Sequence, residues 1–393
     1  MGNTSEITNF TDNLKRYSLM AGGVALVATI FGAFTDPGQF YKSYLTAILY
    51  WIGLPLGSLG IMSLHHLVGG GWGFSIQRIL EAASRTLPIF LLLFIPIFFG
   101  MKELYIWADP EIMAADAILK HKEPYLNVTG YWLRVVIFFG LWSIFIFTIN
   151  NWSKKQDETG DPAISDNLRK LAGPSLLLYF LTVTFASFDW GMSLDPHWFS
   201  TIYGFVFAMG QAVTTMAFAA IILNQIVSLE PLAGFVKKQH FHDIGNLLLA
   251  FISLWAYVNL SQFLIIWSGN LPEEIPWYIH RMNHGWGQLG LFVVIFHFVA
   301  PFALLLLRRN KRSSVILAKI AMLVMVVRFL DMFWLIAPNF FPNGLHVHWL
   351  DFTAPIAIGG IWLTLFSDQL QRRALLPIKD PRLQSAREVH HHD

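Results

Sequence analysis

The chain has 393 residues, of which 55% are hydrophobic and 13% charged, with a formal net charge of +2 and no cysteine. Soluble domains carry roughly 25% charged residues, so this composition, with a mean hydropathy of +0.50, excludes an ordinary water-soluble globule. The lack of cysteine excludes disulfides, thiolate-held iron–sulfur clusters, CxxCH haem attachment and zinc ribbons.

A bilayer core about 30 Å thick takes roughly 20 apolar residues per helix. Ten such runs follow one another, near 17–35, 42–68, 86–107, 129–150, 171–190, 202–227, 244–267, 285–307, 315–336 and 352–366. Barrel strands would be about ten residues long and would alternate. The expected fold class is therefore all-α, a polytopic membrane protein with ten transmembrane helices. The first run follows a polar stretch containing Asp12, with no A-x-A site close behind it, and reads as a span rather than a cleaved signal. Of the 27 Lys and Arg, 19 fall on the face that carries both termini and 5 on the other, while Arg134, Lys319 and Arg328 lie within spans. The positive-inside rule then makes both termini cytoplasmic. Trp107, Trp132, Trp190, Trp198, Trp267, Trp277, Trp286, Trp334 and Trp349 fall near the opposite ends, as a lipid-interface belt would.

Spans 2–5 and 6–9 read as two copies of a four-helix unit. Span 3 ends Glu103-Leu-Tyr-Ile-Trp107 and span 7 ends Gln262-Phe-Leu-Ile-Ile-Trp267. Spans 5 and 9 each carry an outer aspartate near a tryptophan, Asp189-Trp190 and Asp331 before Trp334. Four helices separate the copies, so they are parallel rather than inverted. The domains expected are 1–41 (tail and span 1), 42–198 (first bundle), 199–337 (second bundle) and 338–393 (span 10 and tail).

Ionisable groups inside spans are costly and point to function by default. His65 and His66 sit near the inner end of span 2, and His297 lies mid-span in span 8. Arg328 and Asp331 are three apart on span 9 and can pair. Glu103, Arg134, Asp189 and Asp351 lie near the outer boundary. The same residues serve equally as structure: Glu103, Arg134 and Asp189 as a buried ion network, Arg328–Asp331 as a packing pair, and Lys319 as a snorkelling cation. Facing histidines at equal depth, as haem b requires, are absent from the pattern. His346 and His348 beside Asp351 are a thin set for a metal, and no metal is expected. The terminal His390, His391 and His392 read as native tail or tag.

The loop after span 5 is the most distinctive stretch. It reads Asp189-Trp-Gly-Met-Ser-Leu-Asp-Pro-His-Trp-Phe-Ser-Thr-Ile-Tyr-Gly204, and Pro338–Asp351 echoes its composition. This stretch resembles a signature of the ActF-type membrane subunits of bacterial alternative complex III. The ten-span layout is similar to that group and to the wider NrfD/PsrC-like membrane anchors of quinone-linked oxidoreductases. The resemblance implies a non-redox subunit of a menaquinol:electron acceptor oxidoreductase in the bacterial cytoplasmic membrane. It places c-type haems and iron–sulfur clusters in partner subunits, beside a sister NrfD-like quinol-binding subunit, small membrane subunits and lipids. No cofactor is expected in this chain, and no nucleic acid partner.

The proton-path candidates are His65, His66, Glu103, Arg134 and Asp189 in the first bundle, and His297, Arg328, Asp331 and Asp351 in the second. Two alternatives stand beside this reading. One is a quinol site in this chain, using Asp189, His197 or His284 near the outer surface as proton acceptor. The other is a stand-alone secondary transporter, disfavoured by parallel repeats and by the lack of a clear Gly/Pro-broken helix pair in both halves.

Overall fold

The structure, a computed structural model, describes residues 2–383. Arg387 and the terminal His390, His391 and His392 lie outside the described residues. The chain is 83% helix, with no strand among the described residues. Ten helices are long and apolar enough to cross a membrane, which makes this a multi-pass membrane protein. Spans 1 to 5 are Glu6–Thr35, Pro37–Val68, Gly71–Phe99, Val128–Thr159 and Pro162–Leu194. Spans 6 to 10 are Tyr203–Ile226, Lys238–Gly269, Trp286–Leu306, Ser314–Asn339 and Leu350–Gln371. An even number of crossings leaves an inner face bearing both chain ends and an outer face opposite.

Local chemistry sets the ends. Asp36 accepts from the backbone N–H of Gln39 at 3.1 Å and Pro37 follows at the first helical position. Asn127 and Asp161 cap spans 4 and 5 in the same way, each satisfying an amide that has no intrahelical partner. Gly160 closes span 4 at φ 69°, a conformation that disfavours any residue with a Cβ.

Span 3 departs most from its expected limits. Hydropathy placed its start near residue 86, because Arg78 and Glu81 interrupt the apolar run. The helix begins at Gly71, since these two charges lie three apart and neutralise each other inside it. It is also broken into Gly71–Ser84, Leu87–Leu93 and Ile95–Phe99. Pro88 and Pro96 stand in the first turns of the last two pieces, where a missing N–H is tolerated. Span 2 divides into Pro37–Trp51 and Gly53–Val68, and span 8 passes through a π-helical turn at Val294–Val299 just before Pro301. Interrupted helices thus occur in spans 2, 3 and 8, whereas spans 4, 6 and 7, their counterparts in the expected four-helix units, are continuous.

Spans 2 and 6 form the centre and are almost entirely buried. Span 6 packs on spans 2, 5, 7 and 9, span 4 on spans 3 and 5, and span 10 on spans 1 and 2. In lipid there is no hydrophobic drive between apolar helices, so close approach depends on small residues. Gly57 of span 2 faces Gln211 and Thr215 of span 6, Gly210 faces Arg328, and Gly22 of span 1 meets Gly360 of span 10 backbone to backbone.

The outer tryptophans mostly do not face lipid. Trp107, Trp190, Trp198, Trp277 and Trp286 are buried, whereas Trp267 and Trp349 are exposed. Two of these indoles find loop carbonyls: Trp107 donates to Ser193 O at 3.1 Å and Trp286 to Phe341 O at 2.9 Å. The short helices Pro110–Ala115, Ala117–Lys122 and Pro276–Met282 lie between the span ends at this face, and Trp198 stacks on Trp277 at 4.5 Å.

Candidate functional site

Near the outer face, Asp189 is wholly buried at the end of span 5. Its two carboxylate oxygens accept from Arg134 Nε at 2.7 Å and Nη2 at 2.9 Å, a bidentate pair. The guanidinium also donates to Tyr125 O at 3.0 Å and lies 3.9 Å from the Tyr125 ring centroid. The distinctive loop folds around this pair. Ser193 Oγ donates to Asp189 O at 2.6 Å, and Tyr105 OH donates to Trp190 O at 3.1 Å. Glu103 does not join the pair. It is exposed, with no ion-pair partner among the described residues, which corrects the expected three-member network: it falls on the short helix Met101–Leu104, beyond the apolar part of span 3.

Toward the inner face, on spans 3 and 4 and the segment after span 10, lies a cluster that hydropathy did not place. Glu81 is 1% exposed. Its carboxylate accepts from Arg78 and Ser153 at 2.6 Å each, from Gln77 at 2.9 Å and from Arg373 at 3.0 Å. Arg78 also donates to Asp157 at 2.5 Å. Two guanidinium groups thus meet two carboxylates, the balance that makes buried charge tolerable. His65 and His66 lie at this end on span 2. Both ring nitrogens of His65 are buried without a partner among the described residues, and its ring packs edge-on to Phe74 at 4.8 Å and Trp72 at 5.6 Å. Arg382, paired with Asp380 at 2.7 Å, brings Nη2 to 3.5 Å from His66 Nδ1.

One face of span 5 carries a line of buried polar side chains that ends at Asp189. Ser175, Tyr179, Thr182 and Asp189 follow at spacings of four, three and seven, which keeps them on one stripe of the helix. At 1.5 Å per residue the stripe runs about 21 Å along the axis. Ser175 Oγ is 2.8 Å from Ser63 Oγ of span 2, Tyr179 OH donates to Gln211 Oε1 of span 6 at 2.8 Å, and Thr182 Oγ1 accepts from Trp142 at 2.7 Å.

On span 9 Arg328 pairs with Asp331, and Asp331 also accepts from Trp255 Nε1 of span 7 at 3.1 Å. His297 sits on the π-helical turn, its ring 4.4 Å from the Trp255 ring and both nitrogens without a partner among the described residues. A cavity of about 640 Å³ opens beside Asp331, between spans 7, 8 and 9, with Trp255, Tyr278, Gln288 and Trp334 among its walls. Arg281 borders it too. This side chain is buried without a carboxylate; it rests 3.6 Å over the Trp277 ring and donates to Leu335 O at 2.8 Å and Asn339 Oδ1 at 2.9 Å. Burial pulls its guanidinium down to about 9, which still leaves it charged near neutrality.

The remaining expected residues lie elsewhere. Asp351 belongs with spans 2 and 10: it accepts from Ser43 Oγ at 2.6 Å and from the His348 amide at 2.8 Å. This removes it from the second-bundle set, because the first turn of span 10 faces span 2. His197 is exposed and bonds Asp116 at 2.6 Å, a contact that holds the Asp116 carboxyl below its usual range. His284 is exposed at φ 51° and its carbonyl accepts from Leu345 N at 2.8 Å. Neither histidine borders the cavity beside Asp331. Lys319 is exposed. Among the described residues no group of three or more His, Asp or Glu is arranged to hold a metal. No family model matches the sequence, and no curated protein matches it.

Proposed function

We propose that this chain is a non-redox membrane subunit of a quinol:electron acceptor oxidoreductase of the alternative complex III type, built as two tandem four-helix bundles with both termini in the bacterial cytoplasm. Haem and iron–sulfur subunits, and a sister quinol-binding subunit, are its partners in this reading, and menaquinol is the substrate of the whole complex. Within it, the first bundle serves as a proton half-channel. The observation that carries the channel is the line of buried polar side chains on span 5, Ser175, Tyr179, Thr182 and Asp189, the last of them paired with Arg134. Hydroxyls can accept and donate in turn, and an imidazole such as that of His65 or His66 carries one donor and one acceptor nitrogen through which a proton can be relayed. The membership in a respiratory complex rests on the Asp189–Gly204 motif.

A second reading, a quinol site in this chain, is favoured by the cavity beside Asp331. It is largely apolar, of a size that suits a ring and part of its tail, and it presents a carboxylate, a tyrosine and an arginine. One preparation tests both readings. Purified gently, the chain is expected to bring c-type haem partners with it. In liposomes, Glu81→Gln and His66→Asn complexes are expected to lower the proton-to-electron ratio with quinol turnover retained. An unchanged ratio overturns the channel, and isolation without haem partners overturns membership in the complex. Asp331→Asn that abolishes quinone retention, where Glu81→Gln does not, moves the assignment to the second reading.

A further inference from the structure

At the inner face a cleft of about 900 Å³ opens between the inner ends of spans 4 and 10, the break in span 3 at Arg85 and the segment that follows span 10. Five cations line it against two carboxylates. Arg373 and Asp157 are engaged in the Glu81 cluster, and Lys154 faces Glu158 at 4.0 Å. Arg85, Arg372 and Lys379 remain, and none of them has a carboxylate within ion-pair distance among the described residues. Arg85 donates through Nη2 to Gln369 O at 2.9 Å, but its Nε has no partner among the described residues. Asn150, 1% exposed, also borders the cleft, and its Oδ1 accepts nothing from the described residues. Phe147 and Ile378, both exposed, complete an apolar margin.

We propose that this cleft binds the phosphate of an anionic phospholipid headgroup from the inner leaflet. Basic pockets between helix ends at this depth recognise such headgroups, and guanidinium forks match phosphate oxygens. The unpaired acceptor on Asn150 suits a headgroup hydroxyl, which phosphatidylglycerol carries and phosphatidylcholine lacks. The apolar margin matches acyl chains, for which free phosphate has no use.

The full chain, purified in detergent and offered phosphatidylglycerol and phosphatidylcholine in equal amounts, is expected to retain the former in native mass spectra. Phosphatidic acid, with the charge but without the headgroup hydroxyl, is expected to be retained less well. The double variant Arg372→Gln/Lys379→Gln removes two exposed cations that hold no carboxylate. Phosphatidylglycerol binding to it is expected to weaken about thirtyfold, from roughly fivefold per cation near a membrane surface. Equal retention of the two lipids by the unmodified chain overturns the proposal whether or not the variant folds. So does unchanged binding in a folded variant. Displacement of phosphatidylglycerol by millimolar inorganic phosphate also overturns it, and makes the cleft a free-phosphate site.

Discussion

Asp189 and Glu81 are both buried carboxylates, yet their surroundings ask different things of them. Asp189 meets a single guanidinium in a fixed bidentate geometry, flanked by backbone and an aromatic face. Glu81 is shared by four donors from three segments. Losing one member of a buried pair strands the other charge. Asp189→Asn is therefore expected to cost about 3 kcal/mol of stability, read as a lowered unfolding midpoint in detergent. Arg134→Leu/Asp189→Leu, which removes both charges, is expected to be milder than the sum of the single changes; simple additivity would show that the two side chains are not coupled. The sequence pointed to Arg134 and Asp189 because they interrupt apolar runs close to a distinctive loop. It passed over Glu81, Arg78 and Asp157 because charges near the inner end of a span resemble an ordinary basic loop. The available signal was the three-residue spacing of Arg78 and Glu81, which lets a charged pair remain inside a helix. Nothing in the sequence tied Arg373, beyond span 10, to this cluster.

Along whole elements, apolar length predicted that ten helices exist but placed their ends poorly, by about fifteen residues for span 3. Proline and cap residues settled the true ends, as at Asp36-Pro37 and Asp161-Pro162. Which faces of the helices meet is a matter of small residues. A Cβ built on Gly22 would lie 2.7 Å from Gly360 Cα, while one on Gly23 meets nothing within 4 Å. Gly22→Leu is accordingly expected to lift span 1 off span 10, seen as new protease sensitivity in the connection near Asp36. Gly23→Leu, adjacent on the same helix but facing outward, serves as its control and is expected to behave as the parent. Equal effects of the two would show that helix propensity rather than packing governs span 1.

Taken whole, the molecule is a natural background for mapping sidedness, because it contains no cysteine. Lys120→Cys and Lys155→Cys place single thiols at exposed positions on opposite faces. In inverted membrane vesicles an impermeant maleimide is expected to label Lys155→Cys and spare Lys120→Cys, and the reverse in intact cells. Labelling of both from one side would overturn the ten-span topology. Hydropathy and the 19-to-5 split of basic residues determined the span count and the expected orientation, because transfer into lipid and the positive-inside bias act on each segment separately. The tertiary structure alone decided that most outer tryptophans are buried, that Asp351 joins span 2, that Glu103 stands apart, and that Asp331 opens onto a cavity. These facts depend on which residues far apart in sequence are brought within a few ångströms of each other, and no local pattern of apolar and charged residues encodes that distance.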